Sequence, residues 1–494
     1  MTNTPPSKAS FLPIFHVLVF FAFEFLFGFI PSSHIPALGM RIIGIFIGLL
    51  YAWTFLSFTW PSMVSILALA FSGYYESPVQ AYVAVFSNQI LMFMLLTFVF
   101  VAYCEKSGLT RKLAHWFLSR PSLVGHPWRF TLAIVFGCFI CGILINPTAM
   151  IFVYWSMVYE IFDDIGYKKG DAYPSQLCWG IVIASVMAYA CKPWDSIGLM
   201  TIGTLDSVAN GAYAISYGDF MLSTTPHCIA TIAGFLLVMK FIFKPDLSPL
   251  QNLSAEYLAE IRSQLSLNTQ EKIAFAAMVA LIVGLLLPSI VPASSALYSF
   301  ASGLNFIVVI AIILAAVCTI QIKGQHIMDF NECARIGIRW DQWWLLGAAL
   351  VVSAALSSNS AEVGITAFIS EFVTHYFSGT TGIAFVLLFM LILNLFTQVT
   401  HNLTIIAIGI PISFQICLAA GLNPACFAII VSLAAAGAFA TPGSASCTAL
   451  GFSNVEWIGF NHSFKYGLTT WIVSLISLYL IGLPCAALVF GFGL

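Results

Sequence analysis

Charge is what this chain has least of. Asp, Glu, Lys and Arg make up 8% of its 494 residues, against about 25% in soluble domains. A chain so poor in charge cannot cover a folded surface with polar side chains, which excludes a water-soluble globular protein. With 60% hydrophobic residues and a mean hydropathy of +0.97, it reads as an integral membrane protein. The net charge of −2 offers no basic surface, so no nucleic-acid partner is expected. Strand-like alternation is also missing, which argues against a β-barrel. His-Glu-x-x-His and Gly-x-Ser-x-Gly motifs do not occur, and neither do paired intramembrane aspartates, so the chain is not expected to be an enzyme. Twelve cysteines lie scattered through apolar segments. Cys138 and Cys141 form a Cys-x-x-Cys, but inside an apolar helix that spacing carries little weight for redox chemistry.

What is present is a series of apolar runs near the roughly 20 residues that span a bilayer as helix. Candidate spans cover 11–30, 40–58, 60–74, 90–104, 130–159, 175–205, 220–243, 273–291, 304–321, 343–358, 382–415, 423–451 and 467–492. The first is read as a retained helix, because no cleavage pattern follows it. With the N-terminus in the cytoplasm and 130–159 and 382–415 treated as re-entrant hairpins, only Arg41 and Lys192 of the 18 Lys and Arg residues fall off the cytoplasmic side. The positive-inside bias favours that arrangement, and it leaves the C-terminus outside. The fold class is therefore all-α and polytopic, with eleven spans and two hairpins. After the tail and extra helix at 1–38, the order of three spans, hairpin and two spans occurs twice, at 39–243 and 273–494, in opposite orientation. The polar stretch 244–272 reads as the cytoplasmic linker, and its SAEYLAEIRSQL as a short amphipathic helix. Inverted repeats with broken helices are the architecture of secondary transporters.

The breaks carry the polar residues. The first hairpin turns at ILINPTAM, where Asn146 precedes a proline and is pushed away from helix. The second turns at FTQVTHNLTI, where Gln398, Thr400, His401, Asn402 and Thr404 cluster within Phe372 to Val455, a stretch without Asp, Glu, Lys or Arg. Both tips contain Asn-x-Thr: Asn146/Thr148 and Asn402/Thr404. The broken helices read CKPWD in the first repeat, with Lys192 and Asp195, and GAFATPGSASC in the second, with Ala440, Thr441, Ser444 and Ser446. Backbone exposed at mid-membrane is tolerated where it is buried in protein or lines a watery cavity, so the four breaks should meet near the midplane. Their helix N-termini suit an anion, and their freed carbonyls suit a small cation. A lysine at mid-membrane costs at least about 2.5–3.5 kcal/mol; Asp195, one turn on, is its expected ion-pair partner. The absence of arginine at the tips speaks against tight bidentate carboxylate clamps. Elsewhere, Glu24 is expected to meet a polar group on the extra helix, and Trp343 and Trp344 to belong to an interfacial belt.

On these residues the chain resembles the divalent anion/sodium symporter family, within the ion transporter superfamily of arsenite pumps and citrate carriers. In that family each tip reads Ser-Asn-Thr and each broken helix holds a Thr-Pro element. Here Asn146 and Asn402 carry over, Thr148 and Thr404 stand one residue further along, and Ala440-Thr441-Pro442 fits the second broken helix. Cys191-Lys192-Pro193-Trp194-Asp195 replaces Gly-Thr-Pro-Pro-Asn in the first. The resemblance implies a homodimer in the plasma (inner) membrane, with a moving transport domain on a scaffold, an elevator motion, no cofactor other than sodium ions, and transport coupled to sodium or to protons or run by exchange. The implied substrate is a small organic anion, a di- or tricarboxylate, bound by Asn146, Thr148, Asn402, Thr404, Thr441 and Ser444. Ion coupling is implied for Lys192, Asp195, Thr400, His401, Asn402 and Ala440, with Lys192 taking the place of a sodium ion. An inorganic-anion carrier for sulfate or arsenite, or a cation/proton antiporter, is the alternative within the superfamily. A channel or an intramembrane enzyme is the remote one.

Overall fold

The computed structural model describes residues 11–252, 262, 265–292, 294–376 and 380–493. Most of the proposed amphipathic helix of the linker lies outside them. The first part of the chain forms α1 (Phe11–Leu26), α2 (Ala37–Phe55), α3 (Thr59–Phe71), α4 (Pro78–Phe86), α5 (Gln89–Lys106) and the short α6 (Leu109–Leu118). A helical hairpin, α7 (Pro127–Leu144) and α8 (Pro147–Ile165), follows. Then come a broken pair, α9 (Ala172–Cys191) and α10 (Ser196–Ala209), and α11 (Tyr217–Val238). The second part has α12 (Thr269–Ile290), α13 (Ala296–Gly303), α14 (Phe306–Thr319), α15 (Phe330–Gly337), α16 (Trp340–Leu356) and α17 (Ile365–Tyr376). Another hairpin, α18 (Thr380–Phe396) and α19 (Asn402–Ala420), leads to a second broken pair, α20 (Pro424–Ala436) and α21 (Ser446–Ser453). The chain closes with α22 (Phe460–Ser477) and α23 (Leu483–Phe490). Among the described residues the only paired strands are two-residue pieces at Gln321–Ile322 and Gln325–His326.

The protein is an all-α polytopic membrane protein. Among the described residues, eight helical stretches are long and apolar enough to cross a bilayer, nine if α13 and α14, bent by 75°, form one span. Two of the eight are hairpin arms, α7 and α19; α1, α3 and α20 are apolar but shorter. The most apolar part of Ala172–Ala209 is wholly buried, whereas α12 and the closing Phe460–Phe490 stretch bury only 28% of theirs. The broken helix therefore forms the centre of the molecule, with α12 and α22 at its rim.

Local chemistry explains the breaks. α7 stops at Ile145 because Asn146 precedes Pro147 and takes an extended conformation, φ −143° and ψ 114°. The Asn146 carboxamide oxygen then caps α8, accepting from the amides of Thr148 at 3.0 Å and Ala149 at 3.3 Å. Lys192 precedes Pro193 and is likewise extended, ending α9, and Asp195 caps α10 by accepting from Ser196 N at 2.7 Å. Gly198 lets α10 fold back on the break: a Cβ there would lie 2.4 Å from Pro193 Cα. In the second repeat His401 caps α19 through Nδ1, which accepts from Leu403 N.

The two hairpins pack reciprocally. α7 and α8 lie against α9, which follows them, and α8 also meets α21 of the second broken pair. α18 and α19 lie against α20, which follows them, and α19 also packs on α10 of the first broken pair. Two sequence expectations on the surrounding helices come out differently. Glu24 does meet a polar partner, the Ser65 hydroxyl, which donates to its carboxylate. Trp343, however, is buried and donates from its indole to Leu91 O at 3.2 Å, because α16 packs against α5 there; Trp340 is the exposed tryptophan of this helix.

Candidate functional site

Four half-helices begin around two adjoining crevices. The first crevice is narrow, about 30 Å³, and is lined by Ser196 at the start of α10, His401 and Asn402 at the start of α19, and Ala445, Ser446 and Cys447 at the start of α21. The second, about 20 Å³, is lined by Asn146 at the start of α8, with Trp194, Asp195 and Ser196 at the start of α10. Ser196 and Arg339 line both. Each N-terminus presents amides and a positive dipole end. Three are capped from within, by Asn146, Asp195 and His401. The cap position of α21, Ala445, has no side chain that could serve, so its first amides face the first crevice without a side-chain cap.

Hydrogen bonds tie the elements together around this opening. Thr148 Oγ1 lies 3.1 Å from Tyr189 Oη on α9 and 3.6 Å from Cys447 Sγ on α21. Arg339, at the junction of α15 and α16, donates to the same Tyr189 Oη at 3.4 Å and lies within electrostatic reach of Asp195 and Glu105. Glu105 neighbours Asn146 from the end of α5. Two anionic and two cationic side chains, Glu105, Asp195, Lys192 and Arg339, thus surround the second crevice with no net charge, which lowers the cost of burying each.

Lys192 sits behind the lining with no exposed surface. Its ammonium donates to Ile145 O, the last carbonyl before the first hairpin tip, at 2.6 Å, and lies 3.1 Å from Asp195 Oδ2. The expected ion pair is present, and it has gained a tip carbonyl as a third member.

The second break is held by neutral groups. Asn394 Nδ2 donates to Ala434 O at 2.7 Å and Thr397 Oγ1 to Ala435 O at 2.9 Å. Gln398 Nε2 donates to Gly437 O at 2.7 Å, and its Oε1 accepts from the amides of Phe439 and Ala440 at 3.1 and 2.9 Å. Thr441 Oγ1 donates to Gln398 O, and Ser444 Oγ donates to Thr441 O at 2.6 Å. Asn402 N closes the set by donating to Ser444 O at 3.1 Å. Gly437 makes room for this ladder, since a Cβ there would lie 2.7 Å from Asn394 Nδ2.

The site residues expected from sequence divide accordingly. Asn402, His401, Asn146 and Asp195 line the crevices, and Thr148 lies at their edge. Ala440, Thr441 and Ser444 serve the ladder instead, and Thr404, buried, is not among the lining residues. Thr400 Oγ1 pairs with Thr54 Oγ1 on α2 at 3.1 Å. The expectation that no arginine serves the tips is corrected by Arg339, which enters from a distant part of the chain. Glu105 and Tyr189 were also missed. Their only signal is polarity at the end of an apolar helix, which many surface residues share.

A wider cavity of about 540 Å³ opens beside Glu105, lined by Arg111, Lys112 and His115 of α6, Ala149 and Val153 of α8, and Glu271. Burial, then the charges of Arg111 and Lys112, hold the His115 imidazole below its ordinary pKa. It is therefore neutral near pH 7, and the arginine and lysine share the lining with two carboxylates, Glu105 and Glu271.

The citrate transporter family model matches residues 48–319, more than half of the chain. The chain belongs to the citrate transporter family. It is a transporter of that family, in the ion transporter superfamily. It is also 30% identical, over 146 residues, to an uncharacterized transporter of Synechocystis sp.. That match covers 28% of this chain and 23% of the Synechocystis protein. The sequence resemblance to the divalent anion/sodium symporters thus reaches the right superfamily, and the family matched within it is that of citrate transporters. The matched segment holds the first hairpin and the first broken helix, with Asn146, Lys192 and Asp195.

Proposed function

We propose that this family member is a secondary carrier of small di- and tricarboxylates, with the anion bound in the first crevice. The observation that carries the reading is the meeting of three half-helix N-termini, those of α10, α19 and α21, at a crevice that also holds the half-buried Arg339, with the fourth, that of α8, at the adjoining crevice. The side-chain-uncapped amides of α21 and the Arg339 guanidinium supply donors for carboxylate oxygens, charge-assisted on the arginine side. Asn402 and Ser196 add neutral donors, which suit a carrier that must release what it binds. The membrane arrangement is that read from the positive charges, with the N-terminus cytoplasmic and the C-terminus outside. Alternating access follows from movement of the hairpins and broken helices against the helices that carry Glu105 and Arg339.

The test is uptake of labelled citrate, succinate, sulfate and arsenite by proteoliposomes of the purified chain. The reading requires saturable carboxylate uptake and acceleration by the same anion inside. Uptake of sulfate or arsenite without carboxylate would replace it with the inorganic-anion reading, and non-saturable flux would make the protein a channel.

A further inference from the structure

In transporters with broken helices, the carbonyls released at the breaks ligate the coupling cation. Carbonyls are freed at the first hairpin tip, beside the first break, and at the second break, and in both places the chain's own side chains hold them. At the first, the Lys192 ammonium has a carboxylate and a hairpin-tip carbonyl as neighbours, at 3.1 and 2.6 Å. Those are oxygen ligands such as an alkali cation takes. At the second, the carbonyls of Ala434, Ala435, Gly437 and Ala438 each accept from a side chain, those of Asn394, Thr397, Gln398 and Thr448. All four of these side chains are buried. A sodium ion entering here would have to displace hydrogen bonds from several groups that have no water to turn to.

We infer that both cation positions are filled by the chain itself, by a tethered ammonium in the first repeat and by an amide and hydroxyl ladder in the second, so that anion transport requires no sodium. A tethered cation cannot dissociate on either side of the membrane, so it transmits no energy from a sodium gradient. Flux then follows the anion gradient, a proton gradient or the exchange of one anion for another. This inference rests on the carrier reading above.

The experiment has two readouts on the full chain. Anion flux into proteoliposomes is measured while sodium replaces choline at constant ionic strength, and the melting temperature in detergent is followed over the same titration. Wild type is expected to show no change in either. In Lys192→Ala, flux in choline is expected to fall at least about tenfold, and sodium, entering the vacated position, is expected to raise the melting temperature. Sodium-activated flux in wild type, or a sodium-specific rise in its melting temperature, overturns the inference. So does Lys192→Ala flux equal to wild type in choline. Absence of any anion flux in either salt overturns the carrier reading instead, and the melting temperatures still judge the cation positions.

Discussion

The two breaks of this molecule meet the same difficulty with different chemistry. Each interrupts a helix deep in the protein and strips backbone groups of their helical partners. The first answers with charge: Lys192 and Asp195, three residues apart, pair with each other, and the Lys192 ammonium also donates to Ile145 O. The second answers with neutral groups in number, and Gln398 alone holds both Gly437 O and the amides of Phe439 and Ala440. A charged pair concentrates its effect in two side chains, and losing one leaves the other stranded in a low dielectric. A ladder spreads the effect, so each loss costs less. The difference teaches that one backbone problem, repeated in one chain, does not demand one solution. It also places a buried lysine at the first break only, and none at the second.

The largest effect is expected from Lys192→Met. It leaves Asp195 buried without its partner and should cost about 3–5 kcal/mol, read as a fall in melting temperature together with loss of flux. Lys192→Met combined with Asp195→Leu should recover most of the stability, because an apolar pair needs no partner, but not the flux. If the double variant transports normally, the pair is only structural. Gln398→Leu comes next. It leaves the Gly437 carbonyl and two amides unsatisfied, for about 2–4 kcal/mol. A larger destabilisation than that of Lys192→Met would break the contrast between concentrated and distributed support.

Arg339→Ala separates binding from support. It should weaken anion binding by about 2 kcal/mol, or roughly thirtyfold in apparent affinity, read as a raised KM in flux assays. Arg339→Lys should restore part of the loss, since it keeps the charge without the fork. An unchanged KM would move the anion away from this crevice. Thr400→Val should do least. It removes one hydrogen bond to Thr54 and should shift the melting temperature by the equivalent of about 1 kcal/mol or less; a loss of flux would show that the contact with α2 takes part in the motion.

Much of the fold was legible because membrane breaks announce themselves. Asn146-Pro147 and Lys192-Pro193 combine a residue driven out of helix with a proline that cannot continue one, and both stand in otherwise unbroken apolar runs. The Lys192–Asp195 pair was legible for the same reason, since a three-residue spacing leaves few other partners. The second tip was legible only as a cluster. Which of Gln398, Thr400, His401, Asn402 and Thr404 faces the opening depends on the rotation of α19 and the path of 437–445, and neither is encoded by periodicity in a segment polar on several sides. His401 therefore takes the cap position that the Asn-x-Thr match suggested for Asn402. Arg339 could not be placed at all. It lies far along the chain from both the first tip and the second, and only the packing of α16 brings it to Tyr189 and Asp195.

The most direct test of the central claim is a cryo-electron microscopy structure of the wild-type protein in a membrane mimetic with saturating citrate. The account predicts density for the anion in the first crevice, against Arg339, Asn402 and the first amides of α21. Citrate bound elsewhere, with that crevice closed to it, would contradict the account.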